Sequence, residues 1–149
     1  MKTESYNAEH IEILEDLSPI LHRPGMYTDP ANPNHALIEI IDNAVDEGIA
    51  GFARSVEVDI HEDGSASVAD DGRGIPIDLH PKKKVPAVEV IFSSLHSGGK
   101  FRKTDQDSVY RIAGGLHGVG VCVSNALSTK LIVEVKRDGV KNRLVFGPN

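Results

Sequence analysis

Residues 36–53 read ALIEIIDNAVDEGIAGFA, and the architecture can be built outward from them. Ala36, Leu37, Ile40, Ile41, Ala44, Val45 and Ile49 recur at steps of three and four, the spacing of one helix face. The polar residues are ordered too. Glu39, Asn43, Asp46 and Glu47 fall at i, i+4, i+7 and i+8, which gathers them on one face with Asp42 at its edge. A solvated acidic face is the plain reading of such a stripe. Asn43 argues against it, because asparagine is a poor helix former and an amide oxygen beside carboxylates suits a hard cation such as Mg2+. A general base for water would also come from a carboxylate such as Glu39.

Immediately downstream, SVEVDIH alternates Val56, Val58 and Ile60, EDG turns the chain, and SASVA returns, so residues 55–69 are expected to form a hairpin. DDGRGIP ends its second strand. A carboxylate at a strand end, Asp70 or Asp71, next to Gly72 and Gly74 can accept from the amino group of a flat ligand. Asp-Gly is equally a plain turn signal.

Upstream, EHIEILEDLSPIL (9–21) sets Ile11, Leu14 and Leu17 at helical spacing, with Pro19 expected to end the pattern. HRPGMYTDPANPNH follows as a long loop carrying Pro24, Gly25, Pro30 and Pro33. Further on, Pro86 opens a helix, AVEVIFSSLH, whose apolar face includes Val88, Ile91, Phe92 and Leu95. VCVSNALS reads as another helix, and KLIVEVKR, DG and VKNRLVF read as a second hairpin.

Between them lies SGGKFRKTDQDSVYRIAGGLHGVG, with six of the 14 glycines, longer than a plain connector. Its end, GGLHGVG (114–120), places backbone N–H groups at a helix start, an anion-binding arrangement. The spacing G-x-x-G-x-G excludes both the Rossmann G-x-G-x-x-G and the P-loop pattern. Lys100 can reach the same anion or stand solvated. His117 reads as a structural hydrogen-bonding residue, and the seven histidines show no metal-ligand spacing. Lys82, Lys83 and Lys84 read as an exposed loop run.

A chain of 149 residues fits one domain with a core of its own. The net charge of -6 speaks against a principal DNA-gripping surface, which needs clustered Lys and Arg. The single cysteine, Cys122, sits among apolar residues and reads as a small hydrophobe, which suits a reducing cytosol. Met1 precedes polar residues, and no apolar run approaches a membrane span, so a cytoplasmic location is expected.

Taken in order, EIIDNAVDE, DDGRGIP, LHSGGKF and GGLHGVGVCVSNALS resemble the GHKL ATPases. More narrowly they look like the N-terminal ATPase region of bacterial type II topoisomerase B subunits, with the likeness running from Tyr6 to about Phe146. RPGMYTDPANPNH and GRGIPIDLHP look more like the topoisomerase IV type than the gyrase type. The resemblance implies an α/β (α+β) two-layer sandwich, with helices on one face of a mixed, mostly antiparallel sheet. It implies one N-terminal ATP-binding domain over 1–149, with a flexible ATP lid at about 97–120.

The same resemblance assigns roles. Glu39 matches the general base and Asn43 the Mg2+ ligand. Asp70 matches the acceptor of the adenine amino group, with Asp46 and Glu47 lining the pocket. Arg73, Gly74, Ile75 and Pro76 match the pocket edge, while Ile91 and Val119 match its apolar side. Lys100 and the N–H groups of Leu116, His117, Gly118, Val119 and Gly120 match phosphate contacts. Tyr110 falls at a lid position, Arg137 at the mouth used by competitive inhibitors, and Tyr6 on an arm reaching a partner subunit's nucleotide. ATP and Mg2+ are the implied cofactors. The implied partners are a second copy in a homodimer, the topoisomerase IV A subunit, and DNA held through other domains.

The family continues into a G-T strand and a second domain that supplies a lysine, whereas this sequence stops at GPN. A fragment that binds adenine ligands with little or no hydrolysis is therefore expected. A gyrase B subunit, another GHKL member such as a histidine kinase or chaperone ATPase, and a binding module without catalysis are the alternatives.

Overall fold

The computed structural model describes residues 16–95 and 119–148. Its elements follow in the order α1 (Ser18–His22), a short 3-10 turn (Pro24–Met26), α2 (His35–Ile49), β1 (Val56–Ile60), β2 (Ala66–Asp70), α3 (Ala87–Ser93), α4 (Gly120–Leu127), β3 (Leu131–Arg137) and β4 (Val140–Phe146). The mixed α/β class and both hairpins are as expected.

One boundary differs. Pro19 does not end a helix but stands in the first turn of α1. A proline there loses no intrahelical hydrogen bond, because the first N–H groups of a helix have no partner to lose. The Asp16 carboxylate turns the chain into this helix by accepting from the Ser18 N–H and hydroxyl. The expected pattern over 9–15 lies outside the described residues.

The strands form two separate antiparallel hairpins, β1 with β2 and β3 with β4; among the described residues no ladder joins them into one sheet. In the first, Val56 pairs with Asp70 and Ile60 with Ala66, which sets Asp70 at the end of its strand. In the second, Arg137 pairs with Val140 across a two-residue turn. Asp138 and Gly139 both have positive φ there, at 52° and 75°, as a primed hairpin turn requires.

Helix α4 holds the helical layer together. Its Cys122, Val123 and Ala126 pack with Leu17, Ile20 and Val119, and Tyr27 and Leu95 close over them. Two polar side chains on the same helix are buried and bonded across elements. The Ser124 hydroxyl donates to the Ala36 carbonyl of α2 (2.7 Å), and the Asn125 amide donates to the Phe92 carbonyl of α3 (2.9 Å). Buried donors satisfied in this way fix the register of three helices as well as adding stability.

A second core lies between α3 and the β3–β4 hairpin: Val88, Phe92, Val133 and Val135, flanked by Ile40, Ile75, Ile91, Leu144 and Phe146. Phe92 and Phe146 stack with centroids 5.8 Å apart. α2 packs against β1, β2 and α4 and so lies between the first hairpin and the glycine-led helix. Its apolar stripe is only partly covered. Val45 and Ile49, expected to face inward, are exposed, because no described element packs over that edge.

Candidate functional site

The acidic stripe of α2 is not a solvated face. Asp46 is 3% exposed, and an ionised carboxylate is not withdrawn from water without partners. Glu39 is partly buried, and its carboxylate lies directly against Gly120, the first residue of α4. A β-carbon on Gly120 would overlap the Glu39 Oε2 and come within 3.0 Å of its carboxyl carbon. The last glycine of GGLHGVG is therefore where a helix start meets the carboxylate of α2, and a side chain there has no room.

Two residues outside the four family motifs, both within HRPGMYTDPANPNH, complete this corner. His35, one turn before Glu39, places Nδ1 3.9 Å from Glu39 Oε1. The same nitrogen lies 2.8 Å from the Thr28 hydroxyl, in the loop before α2. The Thr28 contact limits rotation of the imidazole, and the imidazole stands beside the carboxylate. The i, i+4 spacing of His35 and Glu39 was the available signal; the Thr28 partner had none, because loop geometry brings it back.

The adjacent aspartates diverge. Asp71 Oδ1 accepts from the N–H groups of Arg54 (2.7 Å) and Ser55 (2.9 Å), closing the loop between α2 and β1. Those backbone donors hold its carboxyl below the usual carboxylate range. Asp70 Oδ1 accepts from the Gly72 N–H at 2.8 Å. Its carboxylate thus stays at the strand end, beside the glycine turn, instead of closing a loop.

Arg73 is held on an edge and on a face. Its Nε and Nη2 donate to Glu47 Oε2 (3.0 Å) and Oε1 (2.7 Å), a bidentate pair, and its guanidinium carbon sits 3.4 Å over the ring of Phe52. Gly74 then takes φ +73° and passes so close to β3 that a β-carbon would lie 3.0 Å from Val135 Cγ1 and 3.2 Å from the Lys136 carbonyl. Arg137 Nη1 donates to the Gly74 carbonyl at 2.8 Å, so the GRGIP loop is pinned between α2 and β3. Ile75 and Ile91 lie on the second core, and Val119 on the first.

Glu39, Glu47, Asp70, Arg73, Gly74, Arg137 and Gly120 are thus tied to one another or to shared neighbours around the α2 face. Pro76 is exposed beside them and Asn43 half-buried on α2. Tyr6, Lys100, Tyr110, Leu116, His117 and Gly118 lie outside the described residues, as does most of the expected lid. Among the described residues no three His, Cys, Asp or Glu side chains converge on a metal position. A Mg2+ ion at Asn43 would therefore take other ligands from bound phosphates and water, which is this ion's habit. Cys122 takes no part: burial pushes its thiol up to about 11, and Sγ donates to the Val119 carbonyl.

Helices over antiparallel hairpins, with an acidic Asn-bearing helix facing a glycine-led helix start and an Asp-Gly strand end, define a nucleotide-binding class. The chain belongs to the histidine kinase-, DNA gyrase B- and HSP90-like ATPases, whose family model matches residues 28–144. Within that family it is 54% identical over 142 residues to the B subunit of DNA topoisomerase 4 from Pseudomonas aeruginosa, covering 95% of this chain. It spans 22% of that relative's length. The topoisomerase IV ATP-binding domain of Francisella tularensis, solved with a small-molecule inhibitor, superposes with a TM-score of 0.73 at 50% identity. That match covers 91% of this chain and 34% of the other. The 43K ATPase domain of Thermus thermophilus gyrase B, solved with an aminocoumarin, gives 0.71 at 43% identity over 88% of this chain and 31% of the other. Among the described residues no helix is long and apolar enough to cross a membrane.

Proposed function

We propose that this chain is the ATP-binding and ATP-hydrolysing part of a topoisomerase IV B subunit, with a gyrase B subunit as the near alternative. The contact between Glu39 and Gly120 carries the reading, because it joins a candidate base to the helix start suited to phosphate. The identity to the topoisomerase 4 relative favours the first of the two types.

In this reading Asp70 accepts from the adenine amino group, with Asp46, Glu47, Arg73, Gly74, Ile75, Pro76, Ile91 and Val119 forming the walls. Lys100 and the N–H groups of residues 116–120 hold the phosphates, and Tyr110 closes over them. Glu39 takes a proton from the water that attacks the terminal phosphorus as ADP leaves, with the His35 imidazole standing 3.9 Å from its carboxylate. Asn43 supplies the protein ligand to Mg2+, which offsets the phosphate charge. Arg137 faces competitive inhibitors at the mouth.

In the assembled enzyme Tyr6 reaches the partner subunit's nucleotide. ATP binding closes a homodimeric clamp, and hydrolysis reopens it. Strand passage draws on the A subunit and on DNA held by other domains, in keeping with the negative charge of this chain. The test is calorimetric titration with a non-hydrolysable ATP analogue and Mg2+. Saturable one-site heat is expected, and an absence of heat ends the proposal.

A further inference from the structure

Phe52 belongs to none of the motifs, yet it touches the pocket edge through one residue. Helix α2 ends in a Schellman turn: the Gly51 N–H donates to the Gly48 carbonyl and the Phe52 N–H to the Glu47 carbonyl, both at 2.9 Å. Gly51 supplies the left-handed conformation the turn needs, with φ +80°. Among the described residues no atom beyond its chain neighbours lies within 4 Å of a β-carbon built there, so backbone conformation calls for glycine.

This turn carries the Phe52 ring under Arg73, 3.4 Å from its guanidinium carbon. Glu47 therefore holds both members of the stack, Phe52 through its backbone carbonyl and Arg73 through its carboxylate. The carboxylate fixes the edge of the guanidinium and the ring fixes its plane. Neither contact alone does both, since a bidentate pair can still tilt about its axis.

We infer that Phe52 is a positioning residue for ligand recognition, an aromatic base plate that sets the plane of Arg73 for stacking by the flat heterocycle of an adenine nucleotide. The inference rests on the proposed nucleotide site. A cation over an aromatic face at a half-exposed position accounts for about a two- to fivefold change in affinity.

The experiment titrates Mg2+ with a non-hydrolysable ATP analogue into the chain and into Phe52→Tyr and Phe52→Leu. Phe52→Tyr should bind as the parent does. Phe52→Leu, which keeps apolar bulk without a π face, should bind about two- to fivefold more weakly. In an Arg73→Gln background Phe52→Leu should have no further effect, because the ring would have no guanidinium to orient. Phe52→Met replaces the leucine variant if thermal melting shows that the latter does not fold. Parent-like binding by Phe52→Leu, or the same loss with and without Arg73, overturns the inference while the nucleotide site stands. A parent chain that binds no nucleotide removes both.

Discussion

The Glu39 carboxylate rests against the α-carbon of Gly120 with no space for a methyl group between them. One residue comes from the first half of α2 and the other opens α4, and their approach sets the distance between a candidate base and a candidate phosphate site.

Gly120→Ala should therefore act on both stability and binding. Overpacking at a close contact costs about 1–3 kcal/mol, which denaturant unfolding will read. Nucleotide affinity should fall as well, because either α4 or Glu39 must move. A variant as stable as the parent would show that the two helices do not pack this closely.

Glu39→Ala and His35→Ala should separate binding from turnover. With Glu39 removed, nucleotide should still bind while hydrolysis, assayed in the intact subunit, falls by about 100- to 10,000-fold. His35→Ala leaves the carboxylate present but less constrained, and a loss of up to about a hundredfold is expected. Full activity in the histidine variant would leave the imidazole a structural partner of Thr28 only.

The two neighbouring aspartates should respond differently to the same change. Asp70→Asn presents a donor toward the adenine amino group and should weaken nucleotide binding by about ten- to a hundredfold, the range of a charged hydrogen bond. Asp71→Asn keeps an oxygen for the Arg54 and Ser55 N–H groups but not the charge, so nucleotide binding should hold while stability falls at neutral pH and converges on the parent's in acid. The Asp71 carboxyl is held below its ordinary value of 3.8, so its contribution is present above that pH and fades as pH falls through the lowered value. Thermal melts of both proteins between about pH 2 and 7 will check this.

Cys122 should be inert in the native protein. Its thiol is raised from 9.0 to about 11 by burial, so the folded state favours the neutral form. That preference contributes stability in full below pH 9 and is lost as pH rises through about 11. The folded state keeps its proton between 9 and about 11 while the unfolded chain loses it, and unfolding curves should shift to lower denaturant across that window. Alkylation by iodoacetamide at neutral pH should be slow in buffer and fast in urea. Rapid native labelling would contradict the packing of α4.

Local periodicity is enough for much of this molecule. The three-and-four spacing of α2, the alternation in both hairpins and the Asp-Gly turn at 138–139 all depend on neighbours in sequence, and each is found where it was expected. The order of the four motifs likewise points to the family. Pro19 behaves otherwise, because a proline at a helix start and one at a helix end look alike until the following turn is seen.

Pairs far apart in the chain are another matter. Periodicity alone cannot separate Asp70 from Asp71, and the fold does so by sending one carboxylate to the Gly72 turn and the other to residues 54–55. It also buries Asp46 in a stripe that reads as solvated, returns Thr28 to His35, and lays Phe52 under Arg73. Each depends on where a loop or helix end comes back in space, and hydrophobic spacing carries no record of that distance. Residue order dictates the elements and the residue types of the site, whereas packing alone settles which of them touch.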